Sequence, residues 1–428
     1  MKISIVGSGY VGMSSAIGFS MMGHSVVCID IDMARVEMIN SGKIPFFEKG
    51  MEENLKAAIE KKLIHASTNF EYMRDSDVTF ITVGTPSLSD GSPNMEYIKA
   101  ASESIASAIK NKPAYHLVVV KSTVLPGITE EIIVPALEKS GKKAGIDFGV
   151  CVNPEFLREG SALQDFLNPD RTVIGELDKK SGDILESLYK DFKSPIMRTN
   201  IKTAEMIKYA SNAFLPAKVS LINEIGNICK KLGIDVYDVA KGVGYDARIG
   251  GKFLNAGSGF GGSCLSKDVS ALVKKAGQLG VEPAILKAVL TVNEEQKRKI
   301  VDILKKRVKR LDGRKIAILG LAFKPGTDDV RDSVAIVVIG SLLNSGAKIS
   351  AYDPEAAGNM KRLFPEIEYA PSTEAALKNA DACLILTDWP EFKKLTDQDF
   401  SVMRGNVIIE GRRVLDRKNV SGVEGICW

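Results

Sequence analysis

The sequence has few histidines, no paired cysteines and no long apolar run, and each absence excludes a class of protein. The three histidines, His24, His65 and His116, do not cluster, so we expect no metal site. The six cysteines form no C-x-x-C pair, and an apolar strand pattern follows Met1 where an export signal would stand, so no disulfide framework is expected. No stretch approaches the roughly 20 apolar residues that span a bilayer. We therefore expect a cytoplasmic protein that has no membrane partner.

The sequence also lacks a strong excess of either charge. The net charge is +4 over 428 residues, with 45% hydrophobic and 26% charged residues, which is typical of a globular protein and excludes nucleic acid as an expected partner. The basic run at 305–310 is interpreted as a solvated surface or linker. A chain of this length exceeds one ordinary core, so two or three domains are expected.

The first thirty residues carry a glycine-rich motif between two apolar runs. The run Lys2 to Val6 leads into GSGYVG at 7–12, a helical pattern follows, and the second apolar run ends at Asp30. In this context the spacing predicts a dinucleotide site, in which the glycines allow a tight turn and the helix N-terminus binds the pyrophosphate. Asp30 suits a ribose diol and would repel a 2′-phosphate, which favours NAD over NADP. A tight turn without a ligand is the alternative, and the spacing to Asp30 disfavours it.

Three more apolar runs, at 77–83, 117–121 and 148–152, end in small or polar residues. Ligands of open parallel sheets bind beyond the carboxyl ends of the strands. This rule places Thr85, Thr123 and Glu155 where they can meet a cofactor or substrate. Each threonine has an alternative role as a helix N-cap.

The later part of the chain changes period and then returns to strand–turn–helix patterns. A long helix is predicted over 203–232, with Pro216 as a kink or join, and a second helical block over 269–310. A second doubly wound domain follows Gly313, where Lys324 and Arg331 suit the phosphates of a nucleotide other than a dinucleotide. The fold class is α/β, with two Rossmann-like doubly wound domains joined by a long central helix and a helical middle domain. We set the domains at 1–196, 197–300 and 301–428.

Cys264 lies in the segment GFGGSCLSKD at 259–268. The arguments against a metal site and a disulfide framework apply to it, and two roles remain open from the residues alone, buried packing and nucleophilic catalysis. Its glycine and serine neighbours disfavour packing, whereas Cys28, Cys151 and Cys383 stand in apolar strands and fit that role. Lys267 is close enough in sequence to stabilise a thiolate.

Seven segments, in order along nearly the whole chain, resemble the nucleotide-sugar dehydrogenases of the UDP-glucose/GDP-mannose dehydrogenase family. They are GSGYVG at 7–12, KSTVLPG at 121–127, NPEFLREG at 153–160, AEMIKYASNAF at 204–214, GYDARIG at 244–250, GFGGSCLSKD at 259–268 and FKPGTDDVR at 323–331. One position departs from the family pattern, because Ser266 stands where the family usually has a proline.

The resemblance implies a four-electron oxidation of UDP-glucose to UDP-glucuronate, with two NAD molecules accepting the hydrides. Cys264 would hold the aldehyde as a thiohemiacetal and then as a thioester. Lys208 would stabilise the alkoxide, and Asn212, on the same helix face, would orient the sugar or a water. Asp268 and Glu155 would be the acid–base groups, and Thr123 would hold the water.

The resemblance also implies two sets of binding residues and a homodimer or higher homo-oligomer, in which Arg248 reaches the partner's site. The expected NAD contacts are Gly7, Gly9, Tyr10, Val11, Gly12, Asp30, Arg35, Thr85, Thr123, Glu159, Lys267 and Arg331. The expected sugar-nucleotide contacts are Glu155, Phe156, Leu157, Arg158, Lys208, Asn212, Arg248, Asn255, Gly259, Phe260, Gly261, Phe323, Lys324 and Arg412.

Three other functions compete with this interpretation. A GDP-mannose 6-dehydrogenase shares the NPEFLREG and cysteine segments. An alcohol dehydrogenase of the 6-phosphogluconate type shares the domain order but needs no thiol. An NAD-responsive redox sensor would use Cys264 differently, and the combination of Lys208, Asn212, Cys264 and Asp268 disfavours it.

Overall fold

Apolar runs form two parallel-type sheets, one in each of the two units of the chain, Met1–Ser211 and Asn212–Trp428. The structure is a computed structural model that describes all 428 residues. In the N-terminal unit the eight strands have the order β3-β2-β1-β4-β5-β6-β7-β8, and only β6 and β7 pair antiparallel. These strands are β1 (Lys2–Val6), β2 (Ser25–Ile29), β3 (Ile64–Ser67), β4 (Val78–Ile81), β5 (His116–Val120), β6 (Phe148–Val152), β7 (Thr172–Glu176) and β8 (Ile196–Asn200).

Helices cover both faces of this sheet, and its inner strands β4, β5 and β6 are buried at every residue. Ile5 packs into one core cluster and the next residue, Val6, into the other, because successive strand side chains point to opposite faces. The helices are α1 (Tyr10–Met21), α2 (Met33–Asn40), α3 (Met51–Glu60), α4 (Glu96–Ile109), α5 (Val134–Glu138), α6 (Ala162–Leu167) and α7 (Lys179–Tyr189). Short helical turns add Phe70–Asp75 and the π-helical Thr129–Ile133.

The predicted long helix is present as α8 (Ile201–Leu232), and the division between the two units falls within it. Asn200 caps its start by accepting a hydrogen bond from the Thr203 N–H (2.9 Å). The helix continues through Pro216. Gly233, at φ 70°, ends it in the left-handed conformation, with Ile234 N–H donating to the Cys229 carbonyl (2.9 Å).

The C-terminal unit contains a six-stranded, all-parallel sheet of order β11-β10-β9-β12-β13-β14. Counted within the sheet, this is the 3-2-1-4-5-6 order of doubly wound nucleotide-binding domains. Its strands are β9 (Lys315–Leu319), β10 (Lys348–Tyr352), β11 (Glu368–Tyr369), β12 (Ala382–Ile385), β13 (Val407–Glu410) and β14 (Val423–Gly425). Its helices are α9 (Val236–Gly244), α10 (Leu265–Gln278), α11 (Ala284–Arg307), α12 (Val334–Leu343), α13 (Ala357–Lys361), α14 (Thr373–Leu377) and α15 (Asp397–Phe400), with a short turn at Phe392–Lys394.

The predicted fold class is confirmed, and one predicted element is corrected. The helical block expected over 269–310 is two helices, α10 and α11, separated by residues 279–283. Gly280 takes a positive φ of 73° and Pro283 has no N–H to continue a helix, so the apolar period is interrupted there. No helix of the structure is both long enough and apolar enough to cross a membrane. The division into three domains stays a prediction.

Candidate active site

The glycine-rich turn between β1 and α1 has the geometry that a dinucleotide requires. Gly7 adopts φ 99°, and a Cβ on Gly12 would lie 1.9 Å from the Gly7 carbonyl oxygen, so neither position tolerates a side chain. A Cβ on Gly9 would meet nothing within 4 Å, so the backbone there is open to a ligand. The start of α1 has no side-chain cap, and the partial positive charge of a helix N-terminus suits a phosphate.

Asp30, at the end of β2, lies directly beside this turn. Its buried carboxylate accepts hydrogen bonds from the Ser8 N–H (2.8 Å) and from Arg35 Nη1 (3.1 Å). The Ser8 hydroxyl is buried and has no hydrogen-bond partner in the protein, which is consistent with a hydrogen bond to a bound ligand. Tyr10 stacks on Phe46 with ring centroids 3.9 Å apart. These residues fit NAD, because the Asp30 carboxylate can accept hydrogen bonds from the ribose hydroxyls.

The loop after β5 is held at both ends. The Thr85 hydroxyl donates to the Thr123 carbonyl (3.1 Å). Farther along, the carboxylate of Glu205 accepts the N–H groups of Gly127 (2.7 Å) and Thr129 (3.0 Å). Glu205 is 1% exposed, and burial raises its pKa. Sequence reasoning assigned no role to Glu205, because the two N–H groups that it binds lie 78 and 76 residues away in the chain.

Glu155 and Lys208 form a buried ion pair within the N-terminal unit. Lys208 Nζ donates to Glu155 Oε1 (2.7 Å) and to the Glu155 carbonyl (2.8 Å), and the two residues are 8% and 5% exposed. Burial alone raises the pKa of Glu155, but the Lys208 ammonium and the Leu157 N–H together hold it below its usual value. The predicted acid–base residue and the predicted alkoxide-stabilising lysine are therefore in direct contact.

Lys121 is a buried neighbour of this pair that sequence reasoning missed. Its Nζ donates to Asn153 Oδ1 (2.8 Å), which also accepts the Tyr189 hydroxyl (2.6 Å). Burial lowers the pKa of Lys121 to about 8, and the attraction of Glu155 opposes that shift. The lysine at the end of an apolar strand was visible in the sequence, but its burial was not.

The residues after Glu155 line a cavity of about 80 Å³ in the N-terminal unit. Phe156 contacts the Arg171 guanidinium, whose carbon lies 3.7 Å from the ring centroid. Arg158 is exposed and forms an ion pair with Asp165. Val11, Leu157 and Glu159 are half-buried.

Cys264 is the N-cap residue of α10 and is exposed, whereas the other five cysteines are buried and none forms a disulfide. Burial raises the pKa of Cys28 to about 12, as expected of a packing cysteine. Cys264 therefore differs from the other cysteines in being accessible and in lying at the partly positive end of a helix.

Asp268 lies one helical turn after Cys264 and is 1% exposed. Its carboxylate accepts from Asn212 Nδ2 (2.7 Å) and from the Lys267 ammonium. Lys267 thus forms its ion pair with the aspartate. Lys208 and Asn212 are four residues apart on α8. Lys208 binds Glu155, and Asn212 binds Asp268.

Residues 256–262, the second part of the loop before Cys264, are buried by contacts within the C-terminal unit. Asn293 holds Phe260 by accepting its N–H (2.8 Å) and donating to its carbonyl (3.0 Å), and Arg412 donates to the Gly259 carbonyl. Asn293 was not predicted, because nothing in its local sequence indicates a partner 33 residues away.

The remaining predicted contacts lie on loops of the same unit. Lys324 Nζ is 5.7 Å from the centroid of the Phe323 ring, and Arg331 pairs with Asp329 (2.7 Å). Arg248 is 89% exposed and pairs with Asp246 (2.6 Å). Asn255 is exposed.

Three family models match consecutive parts of the chain. Residues 1–193 match the NAD binding domain of the UDP-glucose/GDP-mannose dehydrogenase family, residues 202–295 its central domain and residues 317–417 its UDP binding domain. The NAD prediction and the family resemblance are thereby confirmed.

Individual relatives agree with the family models. A UDP-glucose 6-dehydrogenase of Haloferax volcanii is 44% identical and covers 98% of both chains. A GDP-mannose 6-dehydrogenase of Pseudomonas syringae is 40% identical over the full length of both. The solved structure of a UDP-glucose dehydrogenase from Pyrobaculum islandicum superposes with a TM-score of 0.95 at 41% identity, covering 100% of this chain and 98% of that one.

Proposed function

The chain belongs to the UDP-glucose/GDP-mannose dehydrogenase family, and we propose that it oxidises UDP-glucose to UDP-glucuronate through a covalent intermediate on Cys264. The observation that carries the proposal is an exposed thiol at a helix N-terminus, one turn before a buried aspartate that is bonded to Asn212. Relatives at 40–44% identity that are named UDP-glucose 6-dehydrogenases support this substrate.

In the first oxidation the sugar CH₂OH becomes an aldehyde. NAD, which the turn at Gly7–Gly12 and Asp30 would hold, would supply the hydride acceptor for each of the two oxidations. The ammonium of Lys208 stabilises the developing alkoxide, and its pairing with Glu155 provides a route for the hydroxyl proton. Asn212 orients the sugar while its amide is held by Asp268.

In the second oxidation the Cys264 thiolate adds to the aldehyde carbon, and the aldehyde oxygen takes back the proton released in the first oxidation, which gives a thiohemiacetal. Loss of hydride from that carbon, and of the hydroxyl proton, gives a thioester. Water then attacks the thioester carbonyl, the C–S bond breaks, and the carboxylate leaves with the thiolate restored. Glu155 is the base for this water, and Thr123 holds it.

The experiment that tests the proposal is a count of NADH per sugar. The enzyme is incubated with UDP-glucose, UDP-galactose, UDP-N-acetylglucosamine or GDP-mannose in limiting amounts. We expect two NADH per UDP-glucose, with UDP-glucose turned over fastest. Fastest turnover of GDP-mannose favours the second candidate, which the full-length relative from Pseudomonas syringae supports.

Cys264→Ser separates the covalent mechanism from one that needs no thiol. Serine keeps the size but is a poor nucleophile and leaving group, so steady-state turnover should fall by several orders of magnitude. UDP-glucose and NAD should still bind. Unchanged turnover with two NADH per sugar would show that Cys264 is not the nucleophile.

A further inference from the structure

The segment that carries Cys264 is joined to the 323–332 segment at two places, both within the C-terminal unit. At the first, the Gly262 N–H donates to the Arg331 carbonyl (3.0 Å). A Cβ on Gly261 would lie 2.3 Å from the Asp332 carbonyl oxygen, so the two backbones are in direct contact. At the second, the Ser266 hydroxyl donates to Asp332 Oδ2. These contacts flank Cys264 on both sides.

Asp332 has an unusual backbone conformation for a residue with a side chain. Its φ is 52°, in the left-handed region that few non-glycine residues occupy. Both carboxylate oxygens are bonded, because Oδ1 accepts from the Lys297 ammonium while Oδ2 accepts from Ser266. The surrounding contacts therefore hold Asp332 in this conformation.

Lys297 requires a carboxylate partner, and Asp332 supplies one. The lysine is 1% exposed, and a buried ammonium is costly unless it is paired. Its other acceptor, Glu294, is 2.8 Å away but has a side chain that is 55% exposed. Asp332 is therefore the more buried acceptor, and it connects α11 to the first turn of α10 through Ser266.

We propose that Ser266, Asp332 and Lys297 are positioning residues that hold the start of α10, and with it the Cys264 thiol, against the 323–332 segment. The inference rests on the proposed role of Cys264 as the nucleophile. A proline at position 266 has no hydroxyl, so this connection is a consequence of the serine by which the chain departs from the usual family pattern. A nucleophile that is displaced by a fraction of an ångström reacts more slowly, although its substrates still bind.

The test uses three variants of the full-length enzyme. Ser266→Ala removes the hydroxyl, Ser266→Thr retains it, and Ser270→Ala is the matched control, a half-buried serine one helical turn further along α10. The first readout is kcat and KM. We expect Ser266→Ala to lower kcat about 10-fold with KM values nearly unchanged, and Ser266→Thr to restore most of the loss.

The second readout is the rate at which iodoacetamide alkylates Cys264 in the resting enzyme, measured by peptide mass spectrometry from pH 6 to 9. We expect Ser266→Ala to shift the midpoint pH of this alkylation profile. Ser266→Thr and Ser270→Ala should keep the midpoint of the parent enzyme. Because alkylation needs no turnover, this readout stays informative if Cys264→Ser shows that the proposed function is wrong.

Two results would overturn the proposal. One is a Ser266→Ala enzyme whose kcat and alkylation profile match those of Ser270→Ala. The other is a Ser266→Ala enzyme that loses thermal stability while its folded fraction alkylates like the parent, which indicates a structural role only.

Discussion

Replacing Lys208 by methionine should destabilise the N-terminal unit as well as stop catalysis. The change leaves the Glu155 carboxylate buried without the ammonium that contacts it at 2.7 Å. Removing one partner of a buried ion pair costs about 3–5 kcal/mol. Lys121 also attracts Glu155, so we place the cost at the lower end, about 3 kcal/mol. In a unit of this size that corresponds to a fall in Tm of about 8 °C.

The loss of thermal stability caused by Lys208→Met should increase as pH rises. In the parent enzyme the pKa of Glu155 is held below its usual value, so the contribution of the ion pair is complete above the unfolded pKa of 4.5 and is lost as pH falls through the folded pKa. Without Lys208, burial dominates and raises the pKa of Glu155. The folded variant then favours the protonated carboxyl, so the variant loses stability as pH rises and this carboxyl must ionise. The difference in Tm should therefore be largest at neutral pH and shrink towards pH 4.5.

The assay is thermal unfolding by calorimetry between pH 4.5 and 8. The matched control is Lys202→Met, which removes a lysine of the same helix whose ion pair with Glu130 is exposed on both sides and should contribute little. Lys208→Met combined with Glu155→Gln should regain most of the Tm but none of the activity. Equal Tm values for the Lys208→Met and Lys202→Met enzymes, at every pH, would refute the reasoning.

Three further predictions concern the cofactor, the loop after Thr123 and the assembly. Asp30→Ala should narrow the preference for NAD over NADP, measured as the ratio of kcat/KM values, and comparable values in the parent enzyme would contradict the assignment. Glu205→Ala should leave the Gly127 and Thr129 N–H groups unpaired and lower kcat, whereas Glu205→Gln keeps an acceptor and should retain most activity; equal activities would exclude this anchoring role. Because Phe214, Leu221 and Ile228 are exposed on α8, sedimentation should show a dimer, and a fully active monomer at nanomolar protein would disprove both the dimer and the role of Arg248 across it.

Several parts of the fold were predictable because their signals are local. The strands Lys2–Val6, Ser25–Ile29 and Phe148–Val152 lie where the apolar runs predicted them. The glycine spacing in the first turn likewise encodes a backbone path that only glycine can follow. The break between α10 and α11 was missed although Gly280 and Pro283 mark it, because the apolar period resumes directly after them.

The candidate site was only partly predictable, because its contacts join residues that are far apart in the chain. The sequence determined which residue types were available, including Cys264 in a glycine-rich turn and the acids at 155 and 268. Only the tertiary structure paired Lys208 with Glu155, 53 residues away, and Ser266 with Asp332, 66 residues away. Burial decided these pairings, since a charge or hydroxyl removed from water must find its partner among whatever groups the packed fold brings near it.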